Sequence, residues 1–322
     1  MRAVICHELG SVERLVVEER PTPEPQAGQV RVAVRAAGAS FVDGLQVSGR
    51  YQFPLSPPYT PGGECAGVVD AVGDGVTEWR VGDRVFASTG VGAFADRLVA
   101  KSHQLTRLPD SIDFARGASF LQVYGTAWFA LKHRTIVRPG EVVLVTGAGG
   151  GVGLAAIDVA RSLGARVIAV ASSEAKRQLA LAAGAEAAID PAEDVKTRAR
   201  QLTDGKGIDV VYDVVGGDVS EQALRALTFD GRFLVVGFTA GIGRVPLNLV
   251  LLNNRTVIGV EWGGWVPRHL DENKAMIADV VSAIDCGDLR PVAPFERPLE
   301  DAGAVLAELL GRRAVGKIVL VP

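Results

Sequence analysis

Thiol and metal chemistry have little to work with in this sequence. Its 322 residues hold three cysteines, Cys6, Cys65 and Cys286, and four histidines. No two cysteines stand close enough for a zinc ribbon, a CxxC redox pair or a disulfide framework. The odd count, with no secretory leader in the opening MRAVICHELG, reads as a protein of the reducing cytoplasm. No apolar run approaches the roughly 18 residues that a membrane helix needs. An excess of one charge is also missing, since 34 Lys and Arg face 37 Asp and Glu for a net charge of −3. That balance gives no electrostatic reason to expect nucleic acid or an acidic membrane as partner. With 48% apolar residues, intrinsic disorder is excluded as well.

What the chain does have is glycine, 38 of them with 16 prolines, and a length that suggests two domains. The first third alternates short apolar runs (30–34, 66–72, 84–86) with the punctuation PTPEP, SPPYTPGG and VGDG. Short strands separated by turn chemistry predict a compact all-β unit, barrel or sandwich. Near residue 120 the pattern changes. Six strand-like runs follow, at 142–145, 166–171, 187–190, 210–215, 232–237 and 256–261, separated by helical stretches at 152–163, 174–183, 194–202, 219–227 and 246–253. Continuous Val/Ile/Leu strands alternating with helices predict right-handed βαβ units and a parallel sheet buried on both faces. Six strands fit the doubly wound dinucleotide fold. The tail returns to mixed structure, with helices at 271–284 and 299–310 and a strand at 316–321. The expected organisation is a first domain over 1–120, a nucleotide domain inserted over 121–262, and a return segment over 263–322.

The sharpest motif is VVLVTGAGGGVGLAAIDVARSLGA at 142–165, a strand that runs through a glycine turn into a helix. In the G-x-G-x-x-G fingerprint, Ala148, Gly150 and Gly153 take the three positions. The first serves the tight turn, the second admits a pyrophosphate to the backbone, and the third lets the helix pack on the sheet. A helix start then faces the phosphates with its free N–H groups and dipole. The residue that would bond a ribose 2′-OH in an NAD site is Ala171, not an acid. Ser172, Ser173 and Lys176 follow, and hydroxyls with positive charge suit a 2′-phosphate. The predicted coenzyme is therefore NADPH, although an ordinary helix cap at Ser172 or Ser173 explains the same residues. Glu174 counts against the phosphate if it turns inward.

The elements PGGECAGVVDAVGDGV, VGDRV, GTAWFAL, VLVTGAGGGVG, DVVYDVVGG and GRFLVVGF, in this order, resemble the zinc-free quinone oxidoreductase branch of the medium-chain dehydrogenase/reductase superfamily, which includes zeta-crystallin-like proteins. The resemblance spans nearly the whole chain. It implies a GroES-like catalytic domain, an inserted six-stranded Rossmann domain, and NADPH in the cleft between them. Zinc-dependent relatives carry Gly-His-Glu where this chain reads Gly62-Gly63-Glu64, and a cysteine ligand near Ser40, so neither ligand is retained. Carried over by position, the resemblance implies a coenzyme site of Ser40, Thr126, Gly150, Gly151, Val152, Ser172, Ser173, Lys176, Val215, Gly237, Phe238, Thr239 and Trp262. No metal site is implied. Asn is common among relatives at Ser40, and a Tyr in some at the stretch Ile189-Asp190-Pro191, so the nicotinamide contact and the 2′-phosphate site are altered here. For Phe238 and Trp262, core packing is the bland alternative. Asp43 and Glu64 read as structural, and Lys317 as an exposed salt-bridge lysine that could otherwise help the phosphates.

Without a Lewis acid to stabilise an alkoxide, alcohol oxidation is disfavoured. Hydride delivery to a quinone or an activated α,β-unsaturated carbonyl remains. Tyr51 is the candidate proton donor, or equally a wall of the substrate pocket. The competing readings are an enoyl-thioester or 2-alkenal reductase, and a non-catalytic NADPH-binding protein of crystallin-like or RNA-binding type. The apolar run 256–261, expected at a sheet edge, suggests a homodimer.

Overall fold

The computed structural model describes residues 1–322. The chain folds as two compact units, one of Met1–Gln122 with Ala293–Pro322 and one of Val123–Val292. No helix is long and apolar enough to cross a membrane.

The first unit is built on a seven-stranded sheet whose long central strand, Gln29–Ala39, is antiparallel to Glu64–Val72, Arg97–Lys101 and Ile318–Val321. The last of these brings the C-terminal residues into the sheet, so this unit is assembled from both ends of the chain. Its core draws on Val30, Val32, Val34, Val69 and Val85 from the strands, Phe94 from the loop before Arg97–Lys101, and Leu299, Val305 and Leu306 from the C-terminal segment. The unit is not purely β, as the turn-rich sequence suggested. A helix at Phe41–Val47 begins at Ser40, whose hydroxyl accepts from the Asp43 N–H while Asp43 accepts from the Ser40 N–H, a capping box. Gly44 keeps that helix against Leu310, because a Cβ there would lie 2.8 Å from Leu310 Cγ.

The second unit is the expected Rossmann fold. Its six strands are all parallel and lie in the order Ala187–Ile189, Arg166–Val170, Val142–Thr146, Ile208–Asp213, Leu227–Val235, Thr256–Gly259. In chain order that is 3-2-1-4-5-6, the doubly wound arrangement with its switch point beside the first strand. Every residue of Val142–Thr146 is buried, which explains its unbroken Val-Val-Leu-Val run. A helix at Leu121–Trp128, continued by a wider π turn over Phe129–Arg134, precedes that strand.

The return boundary differs from the sequence reading. Residues 263–292 belong with the Rossmann unit, and the first unit resumes only at Ala293. The reason is a set of anchors within the second unit. The Arg290 N–H donates to the buried Asp158 (2.6 Å), Arg161 Nη2 donates to the Asp288 carbonyl (2.9 Å), and Trp262 Nε1 donates to Asn273 Oδ1 (2.9 Å). The helix Leu270–Asp285 buries Met276, Ile277, Val280 and Ile284.

Candidate functional site

The glycine turn joins the first Rossmann strand to the helix Gly151–Ser162. Gly147 takes the left-handed conformation with φ +62, and a Cβ there would come 2.5 Å from Val214 Cγ2. The tight turn therefore belongs to Gly147, one residue before the position assigned from sequence, and Ala148 packs inside the fold. Gly153 lets the helix close on the turn itself, because a Cβ would collide with the Gly147 carbonyl and Ala148 Cα. Gly150 caps the helix, and no side chain satisfies the first-turn N–H groups. A Cβ on Gly150 would meet nothing nearer than the Gly147 oxygen at 3.6 Å. With Gly151 and Val152 it thus presents an open backbone face at a helix N-terminus, and these residues fit a dinucleotide diphosphate. Gly149 was not singled out from sequence. Its missing side chain leaves room for the Lys176 stem, which crosses the turn and would collide with a Cβ.

Lys176 arrives from the helix Glu174–Ala182, which follows the second strand. Ser173 caps this helix, its hydroxyl accepting from the Lys176 N–H at 3.3 Å, while Ser172 is exposed. The cap and the cation thus occur together. Glu174 is held along its own helix by Arg177 and Gln178, and their hydrogen bonds keep its carboxyl below the usual range.

Asp213, at the end of the fourth strand, organises the turn that carries Val215. Its buried carboxylate accepts from the Thr146 and Ser220 hydroxyls, from the Val215 N–H at 3.0 Å and from the Gly216 N–H at 3.3 Å. Thr146 in turn accepts from the Val214 N–H at 3.2 Å, so one network ties the glycine turn to the Val215 turn. The next strand end joins it. The Gly237 N–H donates to the Asp213 carbonyl (3.2 Å), and the Thr239 N–H and hydroxyl donate to the Val214 carbonyl (3.3 Å each). Phe238 is 48% exposed, so it is not a core residue. Gly150, Val215, Gly237 and Thr239 are thereby gathered at the carboxyl ends of adjacent strands, where open α/β sheets bind ligands. Asp213 is a positioning residue that the motif reading missed, although an acid closing DVVYD was its signal.

Trp262 packs on Gly125, where a Cβ would come 2.5 Å from the indole, and so lies against the helix turn that carries Thr126. The bond from Trp262 Nε1 to Asn273 fixes the ring.

The first unit holds Ser40 and Tyr51. The Ser40 hydroxyl donates to Asp43 Oδ2 at 2.7 Å. Asp43 is fully buried, and desolvation pushes its carboxyl up to about 6 against the opposing pull of the Ser40 bonds and the Lys317 charge. Glu64 accepts from the Gln122 N–H and from Lys317 Nζ, both at 2.9 Å. With side chains 4% and 10% exposed, Glu64 and Lys317 form a buried ion pair, so Lys317 is not the exposed lysine expected from sequence. Tyr51 meets Phe53 edge-on at 5.8 Å. Cys65 is a packing residue whose thiol burial pushes up to about 12. No group of three or more His, Cys, Asp or Glu side chains is arranged to hold a metal ion. Ser40, Gly63 and the Lys317-bound Glu64 do not fit a catalytic zinc, which takes three protein ligands.

Residues 26–110 match the family of alcohol dehydrogenase GroES-like domains, and residues 151–280 match the zinc-binding dehydrogenase family. A quinone oxidoreductase-like protein 2 of Bos taurus is 37% identical over 99% of this chain and 92% of its own length. The quinone oxidoreductase of Homo sapiens is 33% identical over 99% of this chain and 97% of its own. The crystal structure of Escherichia coli quinone oxidoreductase complexed with NADPH superimposes with a TM-score of 0.91 at 30% identity, covering all of both chains. These likenesses run from end to end, through both units and the glycine turn, and the chain belongs to the quinone oxidoreductase branch of the medium-chain dehydrogenase/reductase superfamily.

Proposed function

We propose that this protein is an NADPH-dependent reductase of quinones or activated α,β-unsaturated carbonyls that works without zinc. The observation that carries the reading is the open, uncapped helix start behind the Gly147 turn, with Lys176 crossing it. Gly150, Gly151 and Val152 would hold the diphosphate, and Ser172, Ser173 and Lys176 the 2′-phosphate. Val215, Gly237, Phe238 and Thr239 would line the nucleoside path, and Thr126 and Trp262 the nicotinamide end. The bound coenzyme supplies the hydride. The protein supplies orientation and exclusion of water, which turn a bimolecular encounter into a positioned one.

Gly63 and Ser40 at the positions of the relatives' zinc ligands support an acceptor that is already electrophilic, since neither is a ligand set that would hold a Lewis acid. The oxyanion left by hydride transfer needs a proton. Tyr51 is the proposed donor, with a substrate-wall role as the other outcome of its substitution.

A homodimer is part of the proposal. Thr256–Gly259 is an edge strand paired on one side only. Beside it, the helix Leu247–Leu251 buries none of its residues and leaves Leu247 and Leu251 more than three-quarters exposed. An open edge flanked by apolar surface favours pairing with a second copy.

The test is a screen of NADPH oxidation against 1,4-benzoquinone, simple enones and crotonyl-CoA, with NADH in parallel. Saturable turnover with the quinone or enones but not the thioester is expected. Turnover confined to crotonyl-CoA would reassign the enzyme to enoyl-thioesters. Tight NADPH binding with no turnover would make it a binding protein.

A further inference from the structure

The end of the second Rossmann strand is followed by Arg177, whose charge is already engaged. Arg177 Nη1 donates to the Ala171 carbonyl at 3.0 Å and to Asp190 Oδ2 at 2.6 Å. Its Nε and Nη2 both donate to Glu174 Oε2, at 3.2 and 3.0 Å. The guanidinium is thus fastened to the residue at the ribose-recognition position while two carboxylates cancel its charge. Asp190 is placed there by the sheet. Ile189 pairs with Val170, and the Ala171 N–H donates to the Ile189 carbonyl, so the residue after Ile189 stands beside Ala171. Its carboxylate is held in turn by the Ala192 N–H at 2.9 Å, and this bond, followed by Arg177, keeps it below the usual range and ionised at neutral pH.

We propose that Asp190, assisted by Glu174, is a specificity-determining residue that restrains the preference for NADPH over NADH by holding and neutralising Arg177. The inference rests on the coenzyme reading above and deepens it. A 2′-phosphate carries between one and two negative charges near neutral pH. It meets a guanidinium with four of its five N–H donors engaged and two carboxylates that repel it, whereas the 2′-hydroxyl of NADH meets no such cost. In the coenzyme reading the attraction for the phosphate comes from Lys176, whose stem lies against Gly149 of the glycine turn.

The experiment is equilibrium titration of the full chain with NADPH and with NADH, followed by protein fluorescence, for wild type, Asp190→Asn, Glu174→Gln and Lys176→Ala. Asparagine keeps the shape of Asp190 and an acceptor for the Ala192 N–H, but it no longer neutralises Arg177. The expected result is a rise in the NADPH-to-NADH affinity ratio of about five- to tenfold in Asp190→Asn at low salt, shrinking as salt is added. A smaller rise is expected in Glu174→Gln, whose carboxylate is more exposed, and a fall in Lys176→Ala. Glu174→Gln keeps the test open should Asp190→Asn fold poorly. An unchanged or lowered ratio in carboxylate variants that bind both coenzymes overturns the inference alone. A wild type that binds neither coenzyme overturns the coenzyme reading and the inference with it.

Discussion

Replacing Lys317 with methionine isolates the buried ion pair of the first unit. The change removes one partner of an ion pair 2.9 Å long whose side chains are almost entirely shielded from water. Glu64 would keep only the Gln122 N–H on its other oxygen, with the buried Asp43 still nearby. Breaking a buried pair from one side costs about 3–5 kcal/mol. Glu64→Gln in the Lys317→Met background removes the stranded charge and should recover most of the loss. The pocket tolerates glutamine but little more, since a Cβ on Gly38 would lie 2.7 Å from Glu64 Oε1. The assay is urea unfolding followed by hydrogen exchange of strands Gln29–Ala39 and Glu64–Val72, which reports the first unit separately from the second. A loss below about 1 kcal/mol, as for an exposed pair, would refute the reasoning, as would a failure of the Glu64→Gln change to recover it.

The buried Asp43 carboxyl, held at about 6 by desolvation and facing Ser40, Lys317, Glu64 and Tyr59, binds its proton more tightly in the native state than in the unfolded chain. Its stabilising contribution is complete below about pH 4 and is lost as the pH rises through 6. Wild-type stability should therefore fall by about 2.4 kcal/mol relative to Asp43→Asn between pH 4 and 7 in paired urea titrations, and a constant difference would count against a raised carboxyl. Tyr51→Phe should lower kcat by about 10²-fold if the phenol delivers the proton, whereas an unchanged kcat with a raised KM would make Tyr51 a wall of the pocket. Wild type should run as a dimer in size exclusion with light scattering, and Val257→Lys on the open edge strand should shift it toward monomer; a monomeric wild type would remove edge pairing.

The Rossmann unit was legible because its signals are local. Strands buried on both faces read as apolar runs, and the run–turn–helix at 142–162 needs no distant information. Even there the reading slipped by one residue, since the fingerprint puts Ala148 where the left-handed turn is made by Gly147. The helix Phe41–Val47 was missed although Ser40-x-x-Asp43 is a capping pattern, because the surrounding turn residues outweighed seven helical positions. Residues 121–134 gave no helical period because apolar side chains occur on most of their faces. The boundary at Ala293 was set by bonds such as Arg290 to Asp158, which no composition change marks. The Glu64–Lys317 pair joins residues 253 positions apart, and the Arg177–Asp190 contact depends on strand register. Neither is a sequence motif.

The central claim is hydride transfer from NADPH with no metal at the site. It is tested most directly by NADPH oxidation with 1,4-benzoquinone before and after exhaustive chelation, with bound zinc measured on the same sample. The account predicts unchanged turnover and zinc far below one ion per chain. Activity lost on chelation and restored by zinc would contradict it.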